Sequence, residues 1–263
     1  MSVNRTKQNS ELSRRTFIRN GGLVAAGVLL ASRHALGEAG LFSTAADGSI
    51  RDYLQASESA VMKGFIGRKM DLSYQNRILA QDVNTLVAPF MQRTETHLWQ
   101  TEFWGKWFTS AVLAYKYRPE PALKKVLQTA VKDLLATQTP DGYIGNYKPE
   151  NRLEQWDIWG RKYCLLGLLD YYDLTGDAGS LRAARKLTDH LVREINEKDG
   201  IIVNKGNYRG MAASSILEGI VRLYSRTGDK KYLAFAEEIV RQWETPGGPM
   251  LISKAGVNVS ERF

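Results

Sequence analysis

The stretch "LLDYYDLTGDAGSLRAA", Leu168 to Ala184, decides how this chain is read, because it returns fifty-two residues later as "IVRLYSRTGDKKYLAFA", Ile220 to Ala236. Both carry Tyr-x-x-Thr-Gly-Asp followed by Leu-x-x-Ala. A segment written twice implies a structural unit built twice. Gly176 and Gly228 stand where one apolar-periodic run ends, and glycine accepts the left-handed backbone that closes a helix. Asp177 and Asp229 follow, placed to cap the next helix by accepting its free amide protons. A link this short turns the second helix back along the first. The repeat is therefore a helical hairpin of roughly fifty residues.

Three segments share this layout. The first runs from Thr94 to Tyr117 and from Glu120 to Gln138, with "RPEP" in place of Thr-Gly-Asp. The second runs from Trp156 to Leu174 and from Gly179 to Ile195. The third runs from Tyr208 to Arg226 and from Lys230 to Glu244. Apolar residues recur at three- and four-residue steps, as in Leu181, Ala184, Leu187, Leu191 and Leu233, Ala236, Ile239, Val240, Trp243, which marks helices with one buried face. The expected fold is all-α: hairpins of an open solenoid or of a closed (α/α)6 toroid. Three pairs make about half such a ring, and a full one needs ~300 residues or more at this repeat length. The tail "GGPMLISKAGVNVSERF" carries no capping pattern, so an incomplete barrel is expected, a fragment or a half that takes a partner.

The chain has 263 residues and a formal charge of +8, with 43% hydrophobic and 10% aromatic residues. That composition is globular. Residues 1–37 hold Arg5, Lys7, Arg14, Arg15, Arg19 and Arg33 against Glu11, and the remainder is only +3. No basic patch follows, so nucleic acid is not expected as a partner. The segment 1–37 reads as a twin-arginine signal: "SRRTFI" precedes the apolar run "GGLVAAGVLLA", and a cleavage site is expected near Gly37. The run is about half the ~20 residues of a membrane-spanning helix. The expectation is export to the periplasm or beyond, with no stable anchor after cleavage, and residues 38–263 forming the partial toroid. Cys164 is the only cysteine; it lies in "KYCLLGLL" and reads as a buried filler.

If the pairs repeat, the first helices all point one way, and their N-terminal ends share a face with the long loops Thr139–Gln155 and Asn196–Asn207. Those ends carry Arg93, Glu95, His97, Trp99 and Glu102, then Trp156, Asp157, Trp159, Arg161 and Tyr163, then Tyr208, Arg209, Ser214 and Ser215. Aromatic faces stack on sugar C–H surfaces while acids, amides and guanidinium groups hold hydroxyls, so an oligo- or polysaccharide is the expected partner. Asp157 and Glu218 are the candidate catalytic acids, Glu218 because it lies within apolar "SSILEGIV". Tyr143 and Asn146 are expected to form a rim. Trp104, Trp107 and Phe108 read as core, His97 as structurally satisfied, and His190 as a surface residue of a second helix. Each acid near a helix start can equally be a cap.

"TEFWGKWFTSAVLAY", "QTPDGYIGNY", "WDIWGRKYCLLGLLDYYDLTGD" and "SILEGIVRLYSRTGDKKYLAFAEEIV", in this order and spacing, resemble the family 127 glycoside hydrolases, the beta-L-arabinofuranosidase group. The resemblance spans about residues 60–252. It implies an (α/α)6 toroid followed by β-domains and hydrolysis of a glycosidic bond of a plant or microbial polysaccharide. In that family a cysteine nucleophile, a zinc held by cysteines and a glutamate, and an acid/base glutamate lie in the later half of the barrel. None of those positions matches Cys164, so no metal or cofactor is expected in this chain, zinc belonging to a full-length relative. The family's early sugar-contacting histidines are replaced here by "WGRKY" and "AASSILE", which leaves Arg161, Ser214 and Ser215 as contact candidates. Little or no activity is expected of the chain alone. Two other readings use the same cleft: an unsaturated-uronyl hydrolase or polysaccharide lyase of toroid fold, and a non-catalytic glycan- or peptide-binding helical module, with a C-terminal half or a second copy as partner.

Overall fold

The computed structural model describes residues 61–258, within the larger of two compact units, Gln55–Phe263. The twin-arginine segment and its boundary at residue 37 lie outside the described residues. Nine α-helices are described: α1 (Gly64–Ser73), α2 (Val83–Gln92), α3 (Thr101–Tyr117), α4 (Pro121–Ala136), α5 (Asp157–Thr175), α6 (Ala178–Lys198), α7 (Met211–Ser214), α8 (Leu217–Thr227) and α9 (Lys230–Trp243). A wide π turn, Tyr74–Leu79, continues α1. Among the described residues there is no strand, only an isolated bridge between Glu95 and Tyr147. None of the described helices is long and apolar enough to cross a membrane.

The repeated Thr-Gly-Asp does the same work twice. Gly176 and Gly228 sit at φ 72° and 66°, and their amides donate to Tyr172 and Tyr224 carbonyls at 2.8 Å. Asp177 then accepts from the Ser180 amide at 2.7 Å, and Asp229 from the Lys231 amide at 3.2 Å. In the first pair Pro121 opens α4, where a missing N–H costs nothing. The pairs α3–α4, α5–α6 and α8–α9 follow in sequence.

Two helix starts differ from the sequence expectation. Thr94–Gln100 is a turn gathered around Glu95, and α3 begins only at Thr101. The third pair's first helix is broken into α7 and α8 at Ser215–Ile216. It is entered through Tyr208, Arg209 and Gly210, all left-handed at φ 57°, 54° and 74°. Gly210 is obligatory there, because a Cβ would stand 2.3 Å from the Val203 backbone.

The first helices pack on one another, with α5 central between α3 and α8. Trp104, Phe108, Leu165, Leu168, Leu169, Ile220 and Leu223 are fully buried between them. Trp104 stacks on Phe108 at 4.6 Å and 8°. The expected core role of both holds, and Trp107 packs at its edge, its indole N–H donating to the Ile78 carbonyl. Cys164 is also in this core, and burial pushes its thiol far up from the ordinary value.

Candidate functional site

The N-terminal ends of the three first helices do meet. Trp99, on the turn before α3, lies 6.0 Å edge-on to Trp156, which precedes α5. Trp156 in turn meets Trp159 at 5.8 Å and Tyr208 at 5.7 Å, and Trp159 meets Tyr163 at 5.2 Å. These five rings come from three hairpins and form one connected aromatic row that branches at Trp156. Trp99 and Tyr208 are 44% and 65% exposed, so two of its three ends open outward. Edge-to-face contact of this kind is a favoured geometry for aromatic pairs. The left-handed entry to α7 is what carries Tyr208 to Trp156; without it the third pair would contribute no ring.

Charged groups border the row. The Glu102 carboxylate accepts from the Lys106 ammonium at 2.9 Å and from the Trp159 indole N–H. Lys106 and Lys162 both stand over the Trp159 and Tyr163 rings, Lys162 at 4.2 Å and 4.7 Å from their centroids. Burial pulls the Lys162 ammonium below the ordinary lysine value, and the field of Lys106 acts in the same direction. Glu218 is exposed on α8. Its expected apolar enclosure is therefore corrected: the neighbours Ile216 and Ile220 turn inward while Glu218 turns out.

The other candidates lie beneath the row. Asp157 is 1% exposed. One of its oxygens accepts from the Tyr143 hydroxyl at 2.8 Å, the other from the Leu153 amide at 2.9 Å and from Arg161. Arg161, fully buried, also pairs with Glu194 at 2.7 Å. These side chains hold one another rather than facing outward. Tyr143 and Asn146 are buried as well, at 0% and 2% exposed, which corrects the expected rim. The Tyr143 ring lies against Arg152 and Arg161, and burial, then the Asp157 charge, pushes its phenol well up. Asn146 places its amide nitrogen 3.4 Å from Gln100, and its backbone carbonyl accepts from the Glu95 amide at 3.0 Å.

Glu95 caps its turn, accepting from the amides of Thr96, His97 and Leu98. Burial alone would raise its carboxyl, but the three amide donors outweigh that and hold it below the ordinary range. His97 is exposed, its ring nitrogen 2.9 Å from the Thr96 hydroxyl. Ser214 is buried, and the Ser215 hydroxyl donates to the Ala212 carbonyl.

Tyr147, given no role in the sequence reading, and His190, placed there at the surface, tie these layers together. Tyr147 donates to the Leu98 carbonyl at 2.8 Å and accepts from the Trp156 amide at 3.2 Å, fixing the backbones beside both Trp99 and Trp156. Its own amide donates to the Tyr143 hydroxyl. His190, expected at the surface, is 3% exposed. It lies 3.1 Å from Asp141 through Nε2, and 3.4 Å from Arg161 and 3.6 Å from Glu194 through Nδ1. The loop folds over α6 at this point and covers it. The one available signal was Asp-Gly-Tyr opposite a helix histidine, which local periodicity does not register.

Burial, with Arg161 beside it, holds the His190 imidazole below the ordinary 6.5, against the pull of Glu194 and Asp141. The unfolded chain therefore takes the proton first. Stability from this group is complete above about pH 6.5 and is lost as pH falls through the lowered native value. Urea unfolding of wild type and His190→Gln between pH 7.5 and 5 should show a shallower decline in the variant.

Helices paired into repeated hairpins whose amino ends meet define the class of helical-hairpin toroids. A model of the family 127 beta-L-arabinofuranosidase catalytic domain matches residues 47–246, and the chain belongs to that family. The non-reducing end beta-L-arabinofuranosidase of Bifidobacterium longum subsp. longum is 23% identical over 147 residues, covering 51% of this chain and 22% of that protein. The chain thus spans about a fifth of that relative's length. The structure of a family 127 beta-L-arabinofuranosidase from Geobacillus stearothermophilus T6 superimposes with a TM-score of 0.55 at 18% identity, over 75% of this chain and 34% of that one. A second family 127 beta-arabinofuranosidase superimposes with a TM-score of 0.54 at 20% identity, over 71% and 33%. Both carry the (α/α)6 assignment of the hairpins.

The zinc–cysteine centre that the family resemblance implies does not fit the residues described here. Cys164 is enclosed in the α3–α5 core, and no three His, Cys, Asp or Glu side chains among the described residues gather closely enough to hold a metal ion.

Proposed function

We propose that this chain supplies the sugar-binding face of an exported family 127 glycoside hydrolase that acts on plant or microbial polysaccharide, with a beta-L-arabinofuranoside as the substrate class. The observation that carries this reading is the continuous row Trp99–Trp156–Tyr208, built by three hairpins from residues far apart in sequence. Stacking on such a row orients a furanose ring and leaves bond cleavage to groups elsewhere. The described residues offer no accessible thiolate, so the chain alone has little or no turnover. The twin-arginine segment supports export to the periplasm or beyond.

The test separates binding from chemistry. Methyl beta-L-arabinofuranoside should quench the tryptophan fluorescence of the purified chain, and Trp156→Ala should weaken that binding roughly tenfold, the value of one lost stacking platform. Aryl arabinofuranosides should be released slowly or not at all by the same preparation. Unchanged binding in Trp156→Ala would remove the aromatic row from the reading, and brisk turnover by the wild-type chain would overturn the division of labour.

A further inference from the structure

The charges beside the aromatic row are unevenly satisfied. Glu102 is only 8% exposed, and both its oxygens are engaged, one by Lys106 and one by the Trp159 indole. Lys162 stands on the same two rings as Lys106 but has no such partner: among the described residues, no carboxylate oxygen lies within 4.0 Å of its ammonium. The groups facing it are Lys106 and Glu102 from α3, Tyr163 on its own helix, and Glu218 from α8. Glu218 attracts it across a gap, from an exposed position where water screens the charge. A half-buried ammonium held over two aromatic faces is stabilised by their quadrupoles, yet it lacks the charged acceptor that burial calls for.

We propose that this aromatic face takes a sugar carrying a carboxylate, its ring stacked on the Trp156–Trp159 arm and its carboxylate paired with Lys162. This rests on the sugar-binding reading above and adds to it a position for an acidic residue of the same polysaccharide. Lys106, on the same rings, adds a second positive field, while Glu102 stays bound to its own donors. The long stem of Lys162 lets the ammonium follow the ligand.

The inference is tested by tryptophan quenching at low ionic strength and pH 7, with sodium galacturonate, its neutral methyl ester and sodium acetate as probes. Galacturonate is expected to bind roughly fivefold to tenfold tighter than the ester, the value of one charge-assisted contact in a partly desolvated site. Acetate should not compete, because it has no ring to stack. Lys162→Gln should remove the preference, leaving acid and ester equal, while Lys162→Arg should keep it; circular dichroism of both variants checks that the helices persist. Equal binding of acid and ester by the wild type, a preference that survives in Lys162→Gln, or competition by acetate overturns the inference. If methyl beta-L-arabinofuranoside binds through Trp156 while the acid shows no advantage, the acidic specificity alone falls. If none of the sugars quenches, the sugar-binding reading falls with it.

Discussion

Arg161→Ala is expected to destabilise the protein by about 3–5 kcal/mol, the loss seen when one member of a buried ion pair is removed. Its guanidinium is fully buried between Asp157 and Glu194, and it stacks on the Tyr143 ring at 4.5 Å. Removing it strands the Asp157 carboxylate, which is 1% exposed, with only the Tyr143 hydroxyl and the Leu153 amide as donors. For a chain of this size the midpoint of thermal unfolding should fall by roughly 10 °C or more. Replacing both charges, as Arg161→Met with Asp157→Asn, should cost clearly less than the two single losses added, because the buried Asp157 charge goes with its partner and only the less buried Glu194 is left without Arg161. Urea and thermal melts of the wild type, Arg161→Ala, Arg161→Met, Asp157→Asn and the double variant give the comparison. A loss below about 1 kcal/mol for Arg161→Ala would mean that water reaches the pair.

Gly105→Ala should cost about 3 kcal/mol, the upper end of the range for overpacking. Helices α3 and α5 approach through glycines from both sides. A Cβ on Gly105 would stand 2.3 Å from the Tyr163 carbonyl oxygen, one on Gly160 1.9 Å from the Thr101 hydroxyl, and one on Gly167 2.6 Å from the Trp104 ring. At Gly105 the obstruction is backbone, which cannot rotate away, so the helices must separate along their length. That separation also moves Tyr163 and Trp159 relative to Trp99. The variant should therefore lose sugar-induced quenching as well as stability, and a melt combined with the arabinofuranoside titration reads both. Wild-type stability in Gly105→Ala would show that the crossing can relax.

Much of the architecture was legible in the sequence, for a physical reason. A helix terminator acts over four or five residues, so Thr-Gly-Asp could be read as a left-handed stop and a cap from local sterics alone, and both copies behave that way at Gly176 and Gly228. Apolar spacing along Leu181–Leu191 and Leu233–Trp243 reports burial of one face whatever the partner. The meeting of Trp156 with Tyr208 followed from repetition, since equal units stacked in register bring equivalent ends together.

What local pattern could not give was which polar group turns inward. Asp157, Tyr143 and Arg161 carry the same chemistry in a cleft as in a core, and only their mutual contacts, made across fourteen and four residues, place them beneath the rings. His190, on the second helix of its pair, is expected at the surface; a loop forty-nine residues away covers it. Glu218 went the other way, its direction set by the break at Ser215–Ile216. Tyr147 and Lys162 lie within recognisable motifs that assign them no role, and their roles exist only once Leu98, Trp156, Trp159 and Tyr163 have been brought together. The sequence by itself determined the hairpins, their capping and their family, because those depend on near neighbours and periodicity. The tertiary structure decided which polar side chains border the aromatic row and which brace it from beneath, because burial and pairing are properties of the packed whole.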